Sequence, residues 1–358
     1  MKRIASLGLL AGTLLPCASP AETSVTLYGV ISTAVRYTSN INGDHGSLAQ
    51  LVSSGIGGSR WGLKGTEDLG GGNQTVFVLE SGFDTNDGTG TYGALFGRQA
   101  YVGLAGDWGS LTFGRQYNAL NNIGWAYNPL DQSWGNFYSD PLYTGGDVFF
   151  QDYRLNNSII YSRSAGPFSV QLDYGFGQQT NSLARGSTFG GGLMFQEDAL
   201  SAGVAYDQQR AIHGDNTLHN YFLGASYLID KTTAYLGHMG RRETTGDARY
   251  AIYFVGLGYQ ATPALHLSAA YYRYQQRGKV TTQYQAVPIA LGSGNGDVVS
   301  AVADHALSKR TNVFFEIDAT RARGGAVGRE TEYWAGQPAV GVDGTTRIGV
   351  MTGMRHVF

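Results

Sequence analysis

Phe168-Ser169-Val170-Gln171-Leu172-Asp173-Tyr174-Gly175-Phe176-Gly177 is the stretch whose reading decides the fold. Its apolar residues fall at every second position, with polar or small residues between them. Successive side chains of an extended strand point to opposite faces, so this segment has one greasy and one wet face. Leu200, Ala202, Val204 and Tyr206 repeat the pattern against Ser201, Gly203, Ala205 and Asp207. Val313, Phe315, Ile317 and Ala319 do so against Asn312, Glu316, Asp318 and Thr320, with Phe314 the one exception. About sixteen such segments follow Ala21, and helical periods are nearly absent. A half-buried strand in a soluble sandwich alternates in the same way, so the connections have to choose between the two.

Seven connections are tight, near Asp68-Leu69-Gly70-Gly71, Asp107-Trp108-Gly109, Gly166-Pro167, Glu197-Asp198, Asp230-Lys231, Thr262-Pro263 and Ser308-Lys309. Gly, Pro, Asp, Ser and charged pairs are turn residues that tolerate exposure. Between them lie eight longer polar stretches, at 39–57, 85–94, 119–153, 178–187, 211–216, 242–248, 279–295 and 325–344. Short and long alternate without a break, which gives sixteen strands with both termini on the short-turn side. Outer-membrane barrels have this asymmetry of rims and even strand numbers, and in lipid only helices and closed barrels satisfy their backbone. The expectation is an all-β protein, a 16-stranded antiparallel transmembrane β-barrel over residues 22–358, with no internal domain boundary.

The first residues fit that reading. Lys2 and Arg3 precede an apolar run from Ile4 to Leu15, and Ser19-Pro20-Ala21 supplies small residues for cleavage, so residues 1–21 read as a secretory signal peptide. Its removal takes two of the 25 basic residues, against 27 acidic ones, and moves the formal charge from −2 to −4. The single cysteine, Cys17, leaves with it, so the mature chain forms no disulfide. With 53 Gly but only 8 Pro the chain suits continuous, curved strands, and its 23 Tyr suit the aromatic girdles of membrane barrels. A balanced charge without a basic stripe argues against nucleic acid as a partner.

Several motifs resemble the general trimeric porins of Gram-negative bacteria, of the betaproteobacterial type. They are Ser24-Val25-Thr26-Leu27-Tyr28-Gly29-Val30, the run from Ser59-Arg60-Trp61-Gly62 to Gly70-Gly71-Gly72, Phe96-Gly97-Arg98-Gln99-Ala100-Tyr101, and Leu111-Thr112-Phe113-Gly114-Arg115-Gln116-Tyr117. The terminal Gly353-Met354-Arg355-His356-Val357-Phe358 completes the set. The resemblance covers the whole mature chain; Val357 departs from it, since a basic residue often precedes the final aromatic in this family. It implies an outer-membrane location and a homotrimer carrying small hydrophilic solutes and ions by passive diffusion. It also implies outer-membrane lipid and lipopolysaccharide as surroundings, and a terminal strand read by the barrel-assembly machinery. Independently, Phe358 ends the apolar face of the last strand, at the rim. The loop at 119–153 is the longest, and loops of that length are functional or disordered. Its many aromatics argue against disorder, and the resemblance implies that it folds inward as a constriction loop.

Strand parity suggests what faces that loop. If Trp61 and Leu63 point to lipid, Arg60 and Lys64 point into the lumen. Glu80 shares a face with Gln74, and Arg36 lies on the polar face of the first strand. Arg98 and Arg154 match positions that resemble the basic wall of porin constrictions. Asp131, Asp140, Asp147 and Asp152 make the loop acidic, so a basic wall would oppose an acidic loop, with a weak leaning towards anions; the same arginines also serve as ties to the loop and neighbouring carboxylates. Trp125 and Trp134 are candidate contacts for flat solutes, which leaves open a solute-selective barrel.

No nucleophile elbow, zinc-protease motif or metal-type cysteine pair is present, so no catalytic residue, cofactor or metal is expected. His213 and His219 near Asp215 are the one hint of a barrel enzyme, and an adhesin is the other lesser alternative. Gly292-Ser293-Gly294-Asn295-Gly296-Asp297 reads as a flexible outer loop rather than a phosphate or calcium site. Arg321, Arg323 and Arg329 read as solvated residues of the outer rim that would also suit lipopolysaccharide phosphates.

Overall fold

The computed structural model describes residues 23–41, 45–130, 153–213, 215–245, 249–278, 280–284, 287–325 and 346–358. Strands β1 (Thr23–Ile41), β2 (Gly46–Ser53), β3 (Arg60–Gly70) and β4 (Asn73–Gly82) lead into β5 (Gln99–Gly106) and β6 (Gly109–Tyr117). Helix α1 (Ala119–Ala126) follows, then β7 (Arg154–Ala165), β8 (Phe168–Gly175), β9 (Thr188–Glu197), β10 (Leu200–Arg210) and β11 (Thr217–Ile229). The chain continues through β12 (Thr232–Glu243), β13 (Arg249–Thr262), β14 (Leu265–Arg277), the small pair β15 (Val280–Tyr284) and β16 (Val287–Leu291), and β17 (Gly294–Ala306). It ends with β18 (Thr311–Gly324) and β19 (Thr346–Val357).

Every pairing in the large sheet is antiparallel, and β1 closes it against β19 from Val30↔Val357 to Thr38↔Gly349. The sheet has seventeen strands but sixteen places, because β2 and β3 share one flank of β1. β3 pairs with its lower half, Thr23↔Glu67 to Val30↔Arg60, and β2 with its upper half, Thr33↔Ser53 to Ile41↔Gly46. The stretch 39–57, expected as a loop, thus contains a strand, for which Leu48 to Ser53 is apolar enough to add to β1. All seven tight turns fall where the sequence put them. The stretch 279–295 differs: it carries the β15–β16 pair, and β17 begins at Gly294, so Gly294 to Asp297 belong to the wall rather than a loop.

The alternation faces the directions expected of it. On β1, Val25, Leu27, Ile31 and Val35 are exposed on the outside, while Val30, Ser32, Ala34 and Arg36 are buried inside. With lipid on one side and interior on the other, the strands present a low-cost apolar wall to the bilayer.

The interior departs from the expected water-facing lining. Phe222, Phe254 and Tyr272 point inwards from β11, β13 and β14, with ring centroids 6.2 and 5.9 Å apart, and are buried. Tyr127, just beyond α1, continues the row at 6.2 Å from Phe222. These rings belong to one apolar cluster inside the barrel, with Ile123, Leu130, Met239, Ile252 and Phe314. Phe314, the exception in the alternation of its strand, belongs there because the segment between β2 and β3 turns inwards. Gly55 lies against Ala34, Phe314 and Met351, and Ile56 beside it is buried. Serines replace the interrupted ladder: Ser59 Oγ accepts from Ser32 N–H and donates to its carbonyl, both at 3.0 Å, and Ile56 N–H donates to Ser32 Oγ at 3.3 Å.

Candidate functional site: an inner-wall cluster of cations and tyrosines

Helix α1 enters the barrel because the wall makes room for it. Inner-face Gly203 and Gly224 lie under Tyr127: a Cβ on either would come within 2.5 and 2.8 Å of that side chain. Gly192 leaves space for Ile123 and Gly256 for Pro129 in the same way. Two wall aspartates hold the entry point. Ala119 N–H donates to Asp173 Oδ2 at 2.9 Å, and Asn118 Nδ2 to Asp207 Oδ2 at 3.1 Å, while Asn118 Oδ1 caps Asn121 N–H at 2.9 Å. Carboxylates at a helix N-terminus meet unsatisfied amides and the positive end of the helix dipole. Tyr127 OH meets Ser201 Oγ at 2.8 Å, and Tyr272 OH donates to Asn128 Oδ1 at 2.7 Å, so the far end is tied as well. Residues 119–130 are therefore inside; the rest of the stretch to 152, with Asp131, Trp134, Asp140, Asp147 and Asp152, lies outside the described residues.

Beside α1, on β3 to β7, the structure gathers four of the expected residues. Glu80 is the hub. Its Oε1 lies 2.7 Å from Arg98 Nε and its Oε2 lies 3.5 Å from Arg60 Nε, with Tyr28 OH donating to Oε2 at 3.0 Å. The carboxylate is about 5% exposed and the two guanidiniums 15% and 10%, so the group is largely shielded and screened little by salt. Arg98 and Arg154 both donate to Tyr117 OH, at 2.9 and 2.5 Å. The Arg154 guanidinium carbon sits 4.4 Å from the ring centre of Tyr92 and 4.5 Å from those of Tyr117 and Tyr153. Tyrosine faces attract a cation electrostatically, and three at once hold it in one place. Burial pushes the Tyr153 phenol up, as does Tyr92, with the Arg154 charge opposing. Lys64 points the same way from β3, exposed, with Nζ 5.4 Å from the Tyr28 ring centre.

Three expected residues stand apart from this cluster. Arg36 is on the inner face but fully buried, paired with Asp318 at 2.9 Å and Glu316 at 3.7 Å, so it ties β1 to β18. Trp125 is half-buried on α1, its indole N–H donating to Asn121 Oδ1 at 2.8 Å. Phe358 closes the barrel: Gly29 and Phe358 exchange backbone hydrogen bonds of 3.1 Å in both directions, with the Phe358 ring over Gly29. The reading from sequence missed Tyr28, Tyr92, Tyr117, Asp173 and Asp207. Parity was a signal for Tyr28, Asp173 and Asp207, which share faces with Thr26, Gln171 and Ala205. Nothing local marked Tyr92 or Tyr117, which reach Arg154 from the connection between β4 and β5 and from the end of β6.

A closed barrel with an apolar outer wall and fixed, partly water-reaching charges within is a transmembrane channel. The sequence matches the Gram-negative porin family over residues 6–325. It is 33% identical over 299 residues to an outer membrane porin protein of Bordetella pertussis, covering 74% of this chain and 73% of that one. It is 30% identical to outer membrane porin protein 32 of Delftia acidovorans, over 100% and 99% of the two chains. The fold superposes on an anion-selective porin from Comamonas acidovorans with a TM-score of 0.76 and 27% identity, covering 94% of this chain and all of that one. The chain belongs to the Gram-negative porin family, and is an outer-membrane channel for passive diffusion.

Proposed function

We propose that this porin favours anions, weakly, and that Arg60, Lys64, Arg98 and Arg154 set the preference where the channel is narrowest. The observation that carries this reading is charge balance: among the described residues these four cations lie on one stretch of inner wall with the Glu80 carboxylate, which pairs directly with Arg60 and Arg98. Fixed charges at close quarters select ions through their local field. The anion-selective description of the Comamonas acidovorans porin supports it. The constriction itself is part of the proposal: α1 narrows the barrel from one side, and the loop aspartates would face the basic wall. Single-channel recording of refolded protein across a salt gradient tests it. A reversal potential on the anion side that falls in Arg98→Gln supports the reading; a cation-side reversal gives control to the loop aspartates.

A solute-selective channel is the second reading, and half-buried Trp125 favours it as an aromatic face on α1. Equal discrimination between aromatic and aliphatic solutes in wild type and in Trp125→Ala, with Trp134→Ala alongside, would sink it. The same proposal covers four further properties. Residues 1–21 are removed on export, three chains assemble, and the assembly machinery reads Phe358. The outer wall also meets lipopolysaccharide. Crosslinking of refolded chains into species of three subunits tests the assembly state.

A further inference from the structure

Arg242, Arg249 and Arg277 form a row on the outer surface. Arg242 lies directly across from Arg249, and Arg249 directly across from Arg277, on the neighbouring strands β12, β13 and β14. All three are exposed, whereas the residues beside them in sequence, Arg241, Tyr250 and Gln276, are buried on the inner face. Among the described residues none of the three has an acidic or hydrogen-bonding partner. Like charges directly opposite each other in a sheet are destabilising, so an anion bound beside such a row relieves it.

The position of the row says which anion. It stands at the long-loop ends of its strands, on the lipid-facing side. Tyr253, four residues along β13 from Arg249, is exposed on the same face, and Arg273 lies directly across from it. Four residues of strand span about 14 Å, so with the usual barrel tilt the row stands about 10 Å above that tyrosine level. At the tyrosine level, where lipid begins, the chain neutralises its charge: Arg273 Nη1 lies 2.6 Å from Asp297 Oδ2, and Tyr271 OH donates to Asp297 Oδ1 at 2.6 Å. Above it, at headgroup height, the charges are left open. Guanidinium groups bind phosphate oxygens bidentately.

We propose that Arg242, Arg249 and Arg277 form a docking site for phosphate-bearing lipid headgroups of the surrounding leaflet. This rests on the outer-membrane reading and names where on the wall the lipid is held. Refolded protein is titrated with bisphosphorylated lipid A and followed by native mass spectrometry, with dephosphorylated lipid A and inorganic phosphate as parallel probes. Retention of the phosphorylated lipid, at least tenfold weaker in Arg242→Gln/Arg249→Gln/Arg277→Gln and partly kept in the corresponding triple lysine variant, supports the site. Should the triple glutamine variant fail to fold, Arg249→Gln alone is expected to lose several-fold. Equal retention by the glutamine variants or of the dephosphorylated lipid overturns it, as does displacement by equimolar inorganic phosphate, which would mark a free-anion site. Conductance of the folded variants is expected to be unchanged; wild type without conductance would instead overturn the channel reading, independently of lipid retention.

Discussion

Glu80 is the residue on which the inner-wall cluster turns. Two guanidiniums and a phenol converge on its two oxygens, and removing one partner from a shielded charge cluster leaves the rest uncompensated, at about 3–5 kcal/mol. Glu80→Gln is therefore expected to lower the heat-unfolding midpoint of the folded barrel and to shift the reversal potential further to the anion side. A variant that is destabilised with no change in selectivity would make the cluster a structural tie only. Ser59 is the counterpart in the inward segment. Its hydroxyl both accepts from and donates to Ser32, so Ser59→Ala leaves the buried Ser32 amide unpaired, at about 1–3 kcal/mol, while the Ser32 carbonyl keeps its 2.8 Å bond from Ser54 N–H. Faster hydrogen exchange at Ile56 and Ser32, with the far wall unaffected, is the expected signature. At this scale the sequence was legible by parity: Arg60, Lys64 and Glu80 share the inner face as their positions required. Arg36 was legible as inward but not as buried, because Glu316 and Asp318 lie 280 or more positions away and meet it only once β18 and β19 close on β1.

Among the elements, α1 shows how glycine in a wall positions a loop. Gly203 and Gly224 are paired across β10 and β11 and give Tyr127 a flat seat. In Gly203→Leu the new side chain occupies the place of the Tyr127 ring, and backbone on both flanks prevents the strand from yielding. The helix is expected to be unseated while the barrel persists, giving larger single-channel conductance and faster exchange over residues 119–126; unchanged conductance would mean that α1 does not limit the channel. Asp173 and Asp207 act on the same helix from its N-terminal side. Their role was not visible in sequence, where Asp173 was simply one polar position of an alternating strand. Similarly, β2 was hidden inside a long connection because its pairing partner is the upper half of β1, and pairing partners carry no local mark.

The whole molecule is a closed ring whose last contact joins its ends. Phe358 and Gly29 exchange backbone hydrogen bonds where β19 meets β1. Deleting Phe358 removes that pair and its ring, so refolding into detergent is expected to yield less closed barrel, read as the heat-modifiable band on a gel; an undiminished yield would leave the ring a passive rim group. By itself the sequence determined the barrel, its sixteen places, the seven tight turns and the inward or outward sense of the side chains along its alternating strands. Period two and the chemistry of turns are local properties, and lipid enforces both, because an unpaired backbone or a misplaced charge is costly there. Only the tertiary structure decided which inward residues reach water and which are covered. That choice depends on the register between strands far apart in sequence and on segments that turn into the barrel. For this reason Phe222, Phe254 and Tyr272 form an apolar core inside a channel, while Lys64, Arg60, Arg98 and Arg154 are drawn together on the opposite wall.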